Sequence, residues 1–409
     1  MPVNLEVPRK FKPLVERAHE VAASFFRPIS RKYDRAEHEY PVELDMLASL
    51  MDGMNDAAGA AHEVGAGRLK REENGTSSVN GTTSVKNGAN MATVLGFTEF
   101  CWGDVGLALT IPRQGLGNSA IAAVANEEQL RRFKGRWVAM AITEPGAGSD
   151  SANITTTARL DGDHYVIDGE KIFITAGARA DAIVVWATLD RSLGRAAIKS
   201  FVVEKGTPGM ELVRLEHKLG IRASDTATVR FTDCRVPREN LLGNPDIDVG
   251  RGFAGVMKTF DNTRPIVAGM AIGVARASLE HTRELLQGAG ITFEHRSFFR
   301  AKAAEAEIYR LEAELEAARL LTLKAAWMAD NGIPNSKEAS MAKAKAGRVG
   351  NDITLRCVEL CGAMGFAESE LLEKWARDSK ILDIFEGTQQ IQLLIIARRL
   401  LGKTSEQLK

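Results

Sequence analysis

The chain has 409 residues, too many for one small core and enough for two or three domains. Hydrophobic residues at 44% and charged residues at 26% are the proportions of an ordinary globular protein. With 53 basic residues against 53 acidic ones, no basic excess points to nucleic acid or to an anionic membrane surface.

Met1 to Lys10 mixes Val3, Leu5 and Val7 with Glu6, Arg9 and Lys10, and lacks the apolar centre of a secretory signal. No stretch reaches the ~18 uninterrupted apolar residues of a spanning helix. Cys101, Cys234, Cys357 and Cys361 form no zinc-type CxxC pair. Cys357 and Cys361, four apart in a helical pattern, read as buried thiols in a reducing compartment, and the chain as cytoplasmic or matrix-like.

Residues 1–137 are expected to be helical: Phe11, Leu14, Val15, Ala18, Val21 and Ala22 follow the spacing of one buried face. Gly65 to Asn90 interrupts this zone with Asn74-Gly75-Thr76-Ser77-Ser78 and Asn80-Gly81-Thr82-Thr83, a polar insertion unable to fold by itself. Further on, Gly115-Leu116-Gly117-Asn118-Ser119-Ala120 fits the GxGxxA pattern of nicotinamide enzymes. Pro112 interrupts the run before it, however, and that run reads helical, so the βαβ context is missing.

Residues 138–245 change to a period of two. Thr155 to Leu160, Tyr165 to Ile167, Lys171 to Thr175, Ala182 to Thr188, Ser200 to Glu204, Met210 to Leu215 and Thr226 to Thr232 predict short strands. Asp161-Gly162 and Asp168-Gly169 predict hairpin turns between the first three. The sum is an antiparallel sandwich or barrel. Residues 246–409 return to helix, and Ala303 to Ala329 carries Ile308, Leu311, Leu315, Ala318 and Leu321 on one side, as bundle helices do. The fold class is therefore α+β, with helices before and after a β domain.

Four segments carry candidate chemistry. Ala141-Ile142-Thr143-Glu144-Pro145-Gly146-Ala147-Gly148-Ser149-Asp150 offers N–H groups and hydroxyls to a polar ring edge or a phosphate, or is a plain Pro-Gly loop. Gly169-Glu170-Lys171-Ile172-Phe173-Ile174-Thr175 reads as a strand with Phe173 and Thr175 on one face, suited to a flat cofactor or to the core. In Phe260-Asp261-Asn262-Thr263-Arg264-Pro265, Asp261 and Arg264 share a helix face, as binding groups or as a local ion pair. Ile384-Phe385-Glu386-Gly387-Thr388-Gln389-Gln390-Ile391-Gln392 wedges a carboxylate between an apolar run and a glycine. Such surroundings raise a carboxyl pKa toward that of a general base, although a solvated helix end is the other reading.

Together these segments resemble the acyl-CoA dehydrogenase family, from Trp102-Gly103-Asp104-Val105-Gly106-Leu107 onward. Lys218-Leu219-Gly220-Ile221-Arg222-Ala223-Ser224-Asp225, Arg235-Val236-Pro237 and Arg377-Asp378-Ser379-Lys380-Ile381 are similar to further stretches of that family. The resemblance implies an N-terminal helical domain, a middle β domain and a C-terminal four-helix bundle. It also implies FAD, an acyl-CoA substrate, electron-transferring flavoprotein as acceptor, and α,β-dehydrogenation to the trans-2-enoyl-CoA. Under it Glu386 matches the base that takes the α-proton, with its own N–H and a flavin ribityl hydroxyl on the thioester oxygen, while flavin N5 accepts the β-hydride.

Met140, Ala141, Ile142, Thr143, Gly148 and Ser149 match the flavin-ring loop, and Ser149 also reaches toward CoA. Phe173, Ile174 and Thr175 match the strand against the flavin, with Phe173 where the family often has Trp. Asp261, Arg264 and Gly387 match substrate contacts. Glu359, Gly362, Thr388 and Gln390 match segments that hold the FAD dinucleotide, often across a subunit boundary. No metal is implied. The family's Arg-x-x-Phe-Gly run is represented only by Arg296-Ser297-Phe298-Phe299-Arg300, and Leu393 stands where a basic residue is common. A homodimer or homotetramer is therefore expected, with one subunit of a heteromeric dehydrogenase as the alternative. A flavin oxidase or monooxygenase on the same fold is a further alternative.

Overall fold

From Val138 onward, β-rich residues close into one curled, half-barrel sheet of seven strands. The structure is a computed structural model and describes residues 6–49, 87–113, 115–247, 254–293, 301–404 and 407, with backbone alone for 254–262. The strands are β1 (Val138–Ala141), β2 (Thr157–Asp161), β3 (His164–Thr175), β4 (Ala182–Thr188), β5 (Ile198–Glu204), β6 (Met210–Leu215) and β7 (Thr226–Pro237). Their order is β1-β4-β2-β3-β7-β6, with β5 on β4. Pairing is antiparallel except where β4 meets β1 and, at one residue pair, β2.

Asp161-Gly162 makes the expected turn, with Asp161 opposite His164. Asp168-Gly169 does not. Tyr165 to Ile167 and Lys171 to Thr175 belong to the single strand β3, and Gly169 marks an irregularity in its register on β7. A Cβ at Gly169 would sit 2.5 Å from Thr156 Oγ1, so this glycine serves close packing rather than a turn.

Strand β4 is buried along its whole length. Ile183 and Val185 face Ile167, Phe201 and Phe231, while Val184 and Trp186 face Ala120, Ile121 and Leu130. The last three residues lie on helices Leu116–Val124 and Glu127–Arg132. Here the GxGxxA pattern finds its use: a Cβ at Gly115 would lie 2.1 Å from Val138 O, and one at Gly117 2.2 Å from Ala139 O. The glycines let a helix press on β1, and among the described residues no strand precedes that helix.

Helices on both sides of the sheet share one core. Phe26, Cys101 and Val105 pack in the same cluster as Val274, Ile308, Ile353 and Trp375. The N-terminal contributors include helices Lys12–Val21, Arg27–Arg35 and Ala89–Gly103. The C-terminal contributors include Ala254–Gly288, Ala303–Asp330, Ser336–Cys361 and Leu372–Ser379, and helix Gln389–Leu401 follows them in the chain. Pro265 lies inside the first of these without ending it. Leu14 departs from its predicted face and is exposed, whereas Ala18 and Ala22 are buried. Residues 65–86 of the polar insertion and the run Arg296 to Arg300 lie outside the described residues. None of the described helices is long and apolar enough to cross a membrane.

Four distant segments meet around one buried charge. Lys374 Nζ lies 2.6 Å from Asp104 Oδ2 and 2.5 Å from Asp378 Oδ2. The other Asp378 oxygen accepts the Ile221 N–H at 2.5 Å, and Asp104 Oδ2 accepts from Ser30 Oγ at 2.5 Å. Burial works against a charge on Lys374, yet the two carboxylates outweigh it and hold the ammonium protonated. Lys374→Met would strand two buried carboxylates. We expect a loss of about 3–5 kcal/mol in denaturant-unfolding experiments.

Candidate active site

A cavity of about 590 Å³ opens between the sheet and the C-terminal helices. Its walls are the end of β1, the loop that follows, the end of β3, helix Ala254–Gly288, and the turn leading into helix Gln389–Leu401. That volume is of the size that encloses small-molecule ligands.

The loop after β1 is held from beneath by Glu144. Its carboxylate is buried and accepts from the Thr155 N–H and hydroxyl, both at 2.6 Å. It also accepts from the Thr156 N–H at 2.9 Å and hydroxyl at 2.6 Å. Lys171 of β3, itself buried, reaches Glu144 Oε1 at 2.8 Å and the Ile142 carbonyl at 3.1 Å. Burial alone would raise the Glu144 pKa, but Lys171 and the threonines bring it down to about 2. Burial likewise lowers Lys171 to about 8, against the pull of Glu144. With its base fixed, the loop turns Thr143, Gly148 and Ser149 to the cavity.

Strand β3 slips its register on β7 between Lys171 and Ile174. At this slip Phe173 takes φ 56 and stands 60% exposed, on the cavity wall. Thr175 lines the cavity beside it, as do Met140 and Ile142. Ile174 and Ala141, also singled out by the sequence, instead send their side chains into the sheet core and do not line the cavity. An accessible aromatic ring beside hydroxyls, with open space at the Cβ positions of Gly146 and Gly148, fits a flat cofactor with a polar edge such as FAD.

Glu386 enters from the opposite side. It has φ 54 and Gly387 has φ 93, a sharp reversal before the helix. The side-chain amide of Gln392 donates to the carbonyls of Glu386 at 3.0 Å and Gly387 at 3.1 Å, and Lys343 Nζ donates to Gly387 O at 2.7 Å. The positive φ at position 387 favours glycine, and a Cβ there would also lie 2.5 Å from that amide. Thr388 caps the helix, accepting the Ile391 N–H. Thr263 Oγ1 donates to Glu386 Oε2 at 2.5 Å. Burial raises the Glu386 pKa, and Thr263, Arg264 and Lys343 hold part of that rise back. Burial lowers Lys343 to about 8, although Asp383 and Glu386 favour its charge.

The cavity thus gathers Met140, Ile142, Thr143, Gly148, Ser149, Phe173, Thr175, Arg264, Glu386 and Gly387 from the residues the sequence singled out. Asp261 falls within helix Ala254–Gly288, with its side chain outside the described residues. Glu359, Gly362, Thr388 and Gln390 do not line it; Glu359 pairs with Arg356 on the surface, and Gly362 ends helix Ser336–Cys361. Thr263, Lys343, Gln392, Arg195 and Arg398 are new here. A lysine inside an alanine-rich helix carries no local sign that it will meet a loop 44 residues later.

Residues 139–234 match the model of the acyl-CoA dehydrogenase middle domain, and residues 250–401 that of its C-terminal domain. The chain is 34% identical over 413 residues to a mitochondrial short-chain specific acyl-CoA dehydrogenase of Bos taurus, covering 97% of this chain and 92% of that one. Its fold is similar to butyryl-CoA dehydrogenase from Megasphaera elsdenii, with TM-score 0.78, 29% identity, and coverage of 98% and 100%. A chain solved in work on the electron transferring flavoprotein of Acidaminococcus fermentans gives TM-score 0.79 and 30% identity over 98% and 100%.

The Glu144 anchor has a consequence for acid stability. The unfolded chain binds this proton near the ordinary value of 4.5, the folded chain only near 2. Its contribution is complete above pH 4.5 and is lost as pH falls toward about 2. The stability gap between the wild type and Glu144→Gln should therefore narrow over that window when both are unfolded by denaturant at a series of pH values.

Proposed function

Because this chain belongs to the acyl-CoA dehydrogenase family, and so to the FAD-dependent oxidoreductases that act on acyl-CoA, we propose that Glu386 is its catalytic base. The observation that carries this is the Glu386 carboxyl itself, set by a left-handed turn on the cavity wall opposite Phe173, with its pKa raised by burial.

The α-proton of a thioester is a poor acid, so its removal needs a desolvated base and a stabilised carbonyl oxygen. Glu386 supplies the base. Thr263 orients one carboxyl oxygen by its hydrogen bond and leaves the other for the proton. Gln392 holds the carbonyls of Glu386 and Gly387 and Lys343 that of Gly387, which fixes the turn that carries the Glu386 N–H, the group the family resemblance assigns to the thioester oxygen. Met140, Ile142, Thr143, Gly148, Ser149, Phe173 and Thr175 form the wall that would hold the flavin ring. Bound FAD supplies the acceptor for the β-hydride. Arg264, with Ser149 and Asp261, is assigned to the CoA thioester side.

The product is the trans-2-enoyl-CoA. The short-chain specificity named for the Bos taurus relative supports a short acyl group, and electron-transferring flavoprotein is the proposed electron acceptor. Glu359, Gly362, Thr388 and Gln390 are proposed to serve the FAD dinucleotide of a neighbouring subunit. Exposed Met364 and Phe366 next to Gly362 support an interface at that end of the helix.

Glu386→Gln keeps the shape and removes the base. Turnover of butyryl-CoA should fall by about 10²–10⁴-fold while the purified protein keeps its flavin spectrum; unchanged turnover would remove Glu386 from its role. The base must be ionised to work, and its pKa is raised, so the acid limb of kcat/KM should lie above pH 4.5. Lys343→Met takes away a cation that lowers the Glu386 pKa, and should move that limb to higher pH still.

A further inference from the structure

Glu37, His38 and His217 take no part in the cavity. Glu37 and His38 follow helix Arg27–Arg35, and His217 follows β6. One ligand atom of each side chain lies within 4.8 Å of those of the other two. Among the described residues they are a group of three with metal-ligand spacing. Glu37 Oε2 is 2.9 Å from His217 Nδ1, while its Oε1 accepts the Lys218 N–H at 2.8 Å. The two imidazole centroids are 4.8 Å apart.

His38 is the unusual member. It sits at φ 76, a region that costs a non-glycine residue strain. Both of its ring nitrogens are buried without a hydrogen-bond partner. Buried polar atoms ordinarily find a partner, and an imidazole that finds none, beside a second imidazole and a carboxylate, is short of one electron-pair acceptor.

We propose that Glu37, His38 and His217 bind a divalent cation of the Zn²⁺ class. Two imidazole nitrogens and one carboxylate oxygen are a donor set that zinc takes, at about 2.0–2.2 Å, with a remaining position for water. His217 is exposed, so its ring can rotate to close the remaining span. The Lys218 N–H acts as the outer partner that orients the Glu37 carboxylate. Oxygen-seeking Mg²⁺ and Ca²⁺ are poorly served by two nitrogens. The bound ion clips the segment after helix Arg27–Arg35 to the loop that carries Ile221, whose N–H meets Asp378.

The test is isothermal titration of the full, FAD-loaded, EDTA-treated chain with ZnCl₂. One equivalent should bind, excess Mg²⁺ should not displace it, and Zn²⁺ should raise the thermal midpoint. His217→Gln and Glu37→Gln should each weaken binding by more than about tenfold and abolish the thermal shift. Both should keep dehydrogenase activity, which shows that they fold. Failure to saturate at one equivalent, or stoichiometric binding that survives both substitutions, overturns the site.

Discussion

The buried ammonium of Lys374, shared between Asp104 and Asp378, is the joint on which the arrangement of the chain depends. Asp104 belongs to the N-terminal helices, Ile221 to a loop of the sheet domain, and Asp378 to the C-terminal helices. Each uses its polar group on the same small cluster. Around it, Arg377 binds Asp34 at 2.6 Å and the Leu219 carbonyl at 3.0 Å. Gly220 is held so close that a Cβ would lie 2.4 Å from the Arg377 carbonyl. Hydrophobic burial tolerates sliding, whereas a buried charge with two partners tolerates one register only. The cavity is a gap between the sheet and the helices, so its shape is set by this register.

That joint also explains what the sequence could and could not convey. Asp104, Gly220 to Asp225, and Arg377-Asp378 belong to stretches that carry the family resemblance, and several of their residues hold the segments together without touching the cavity. The change from helical to alternating periodicity placed the sheet because β-branched residues and turns act locally. Glu386, flanked by Phe385 and Gly387, stood out locally, but that pattern equally suits a solvated helix end, and it was the resemblance of the other segments to the family that singled it out. Lys343, Lys171 and Thr263 were not legible. Their partners lie 44, 27 and 123 residues away, and nothing in an alanine-rich helix or a β-strand announces such a meeting.

The misread turn follows the same logic. Asp168-Gly169 has the composition of a hairpin, and a glycine at φ 152 does depart from ordinary strand geometry. The departure here accommodates Thr156, whose N–H and hydroxyl in turn hold Glu144. The second irregularity in β3, at Phe173, turns an aromatic ring out of a strand whose neighbour Ile174 is fully buried. Strand β3 thereby serves the sheet core through Ile174 and the cavity through Phe173 and Thr175, with the slip at Phe173 setting how its ring meets the cavity.

Glu144, buried, and Glu386, partly buried on the cavity wall, stand on opposite sides of the loop-and-cavity system and are driven in opposite directions. Burial raises the pKa of each. Glu144 then receives an ammonium at 2.8 Å and four donors from two threonines, and is held ionised with its lone pairs occupied. It cannot accept a proton near neutral pH, so it is an anchor. Glu386 receives one hydroxyl, and its cationic neighbours Arg264 and Lys343 offset only part of the burial. It keeps lone-pair capacity and an affinity for a proton. The difference between the two is therefore not one of residue type, because both are glutamates whose pKa burial raises. It is a difference in the number of donors the fold delivers to each carboxylate, and helix Ser336–Cys361 and strand β3 decide that number by where they place Lys343 and Lys171.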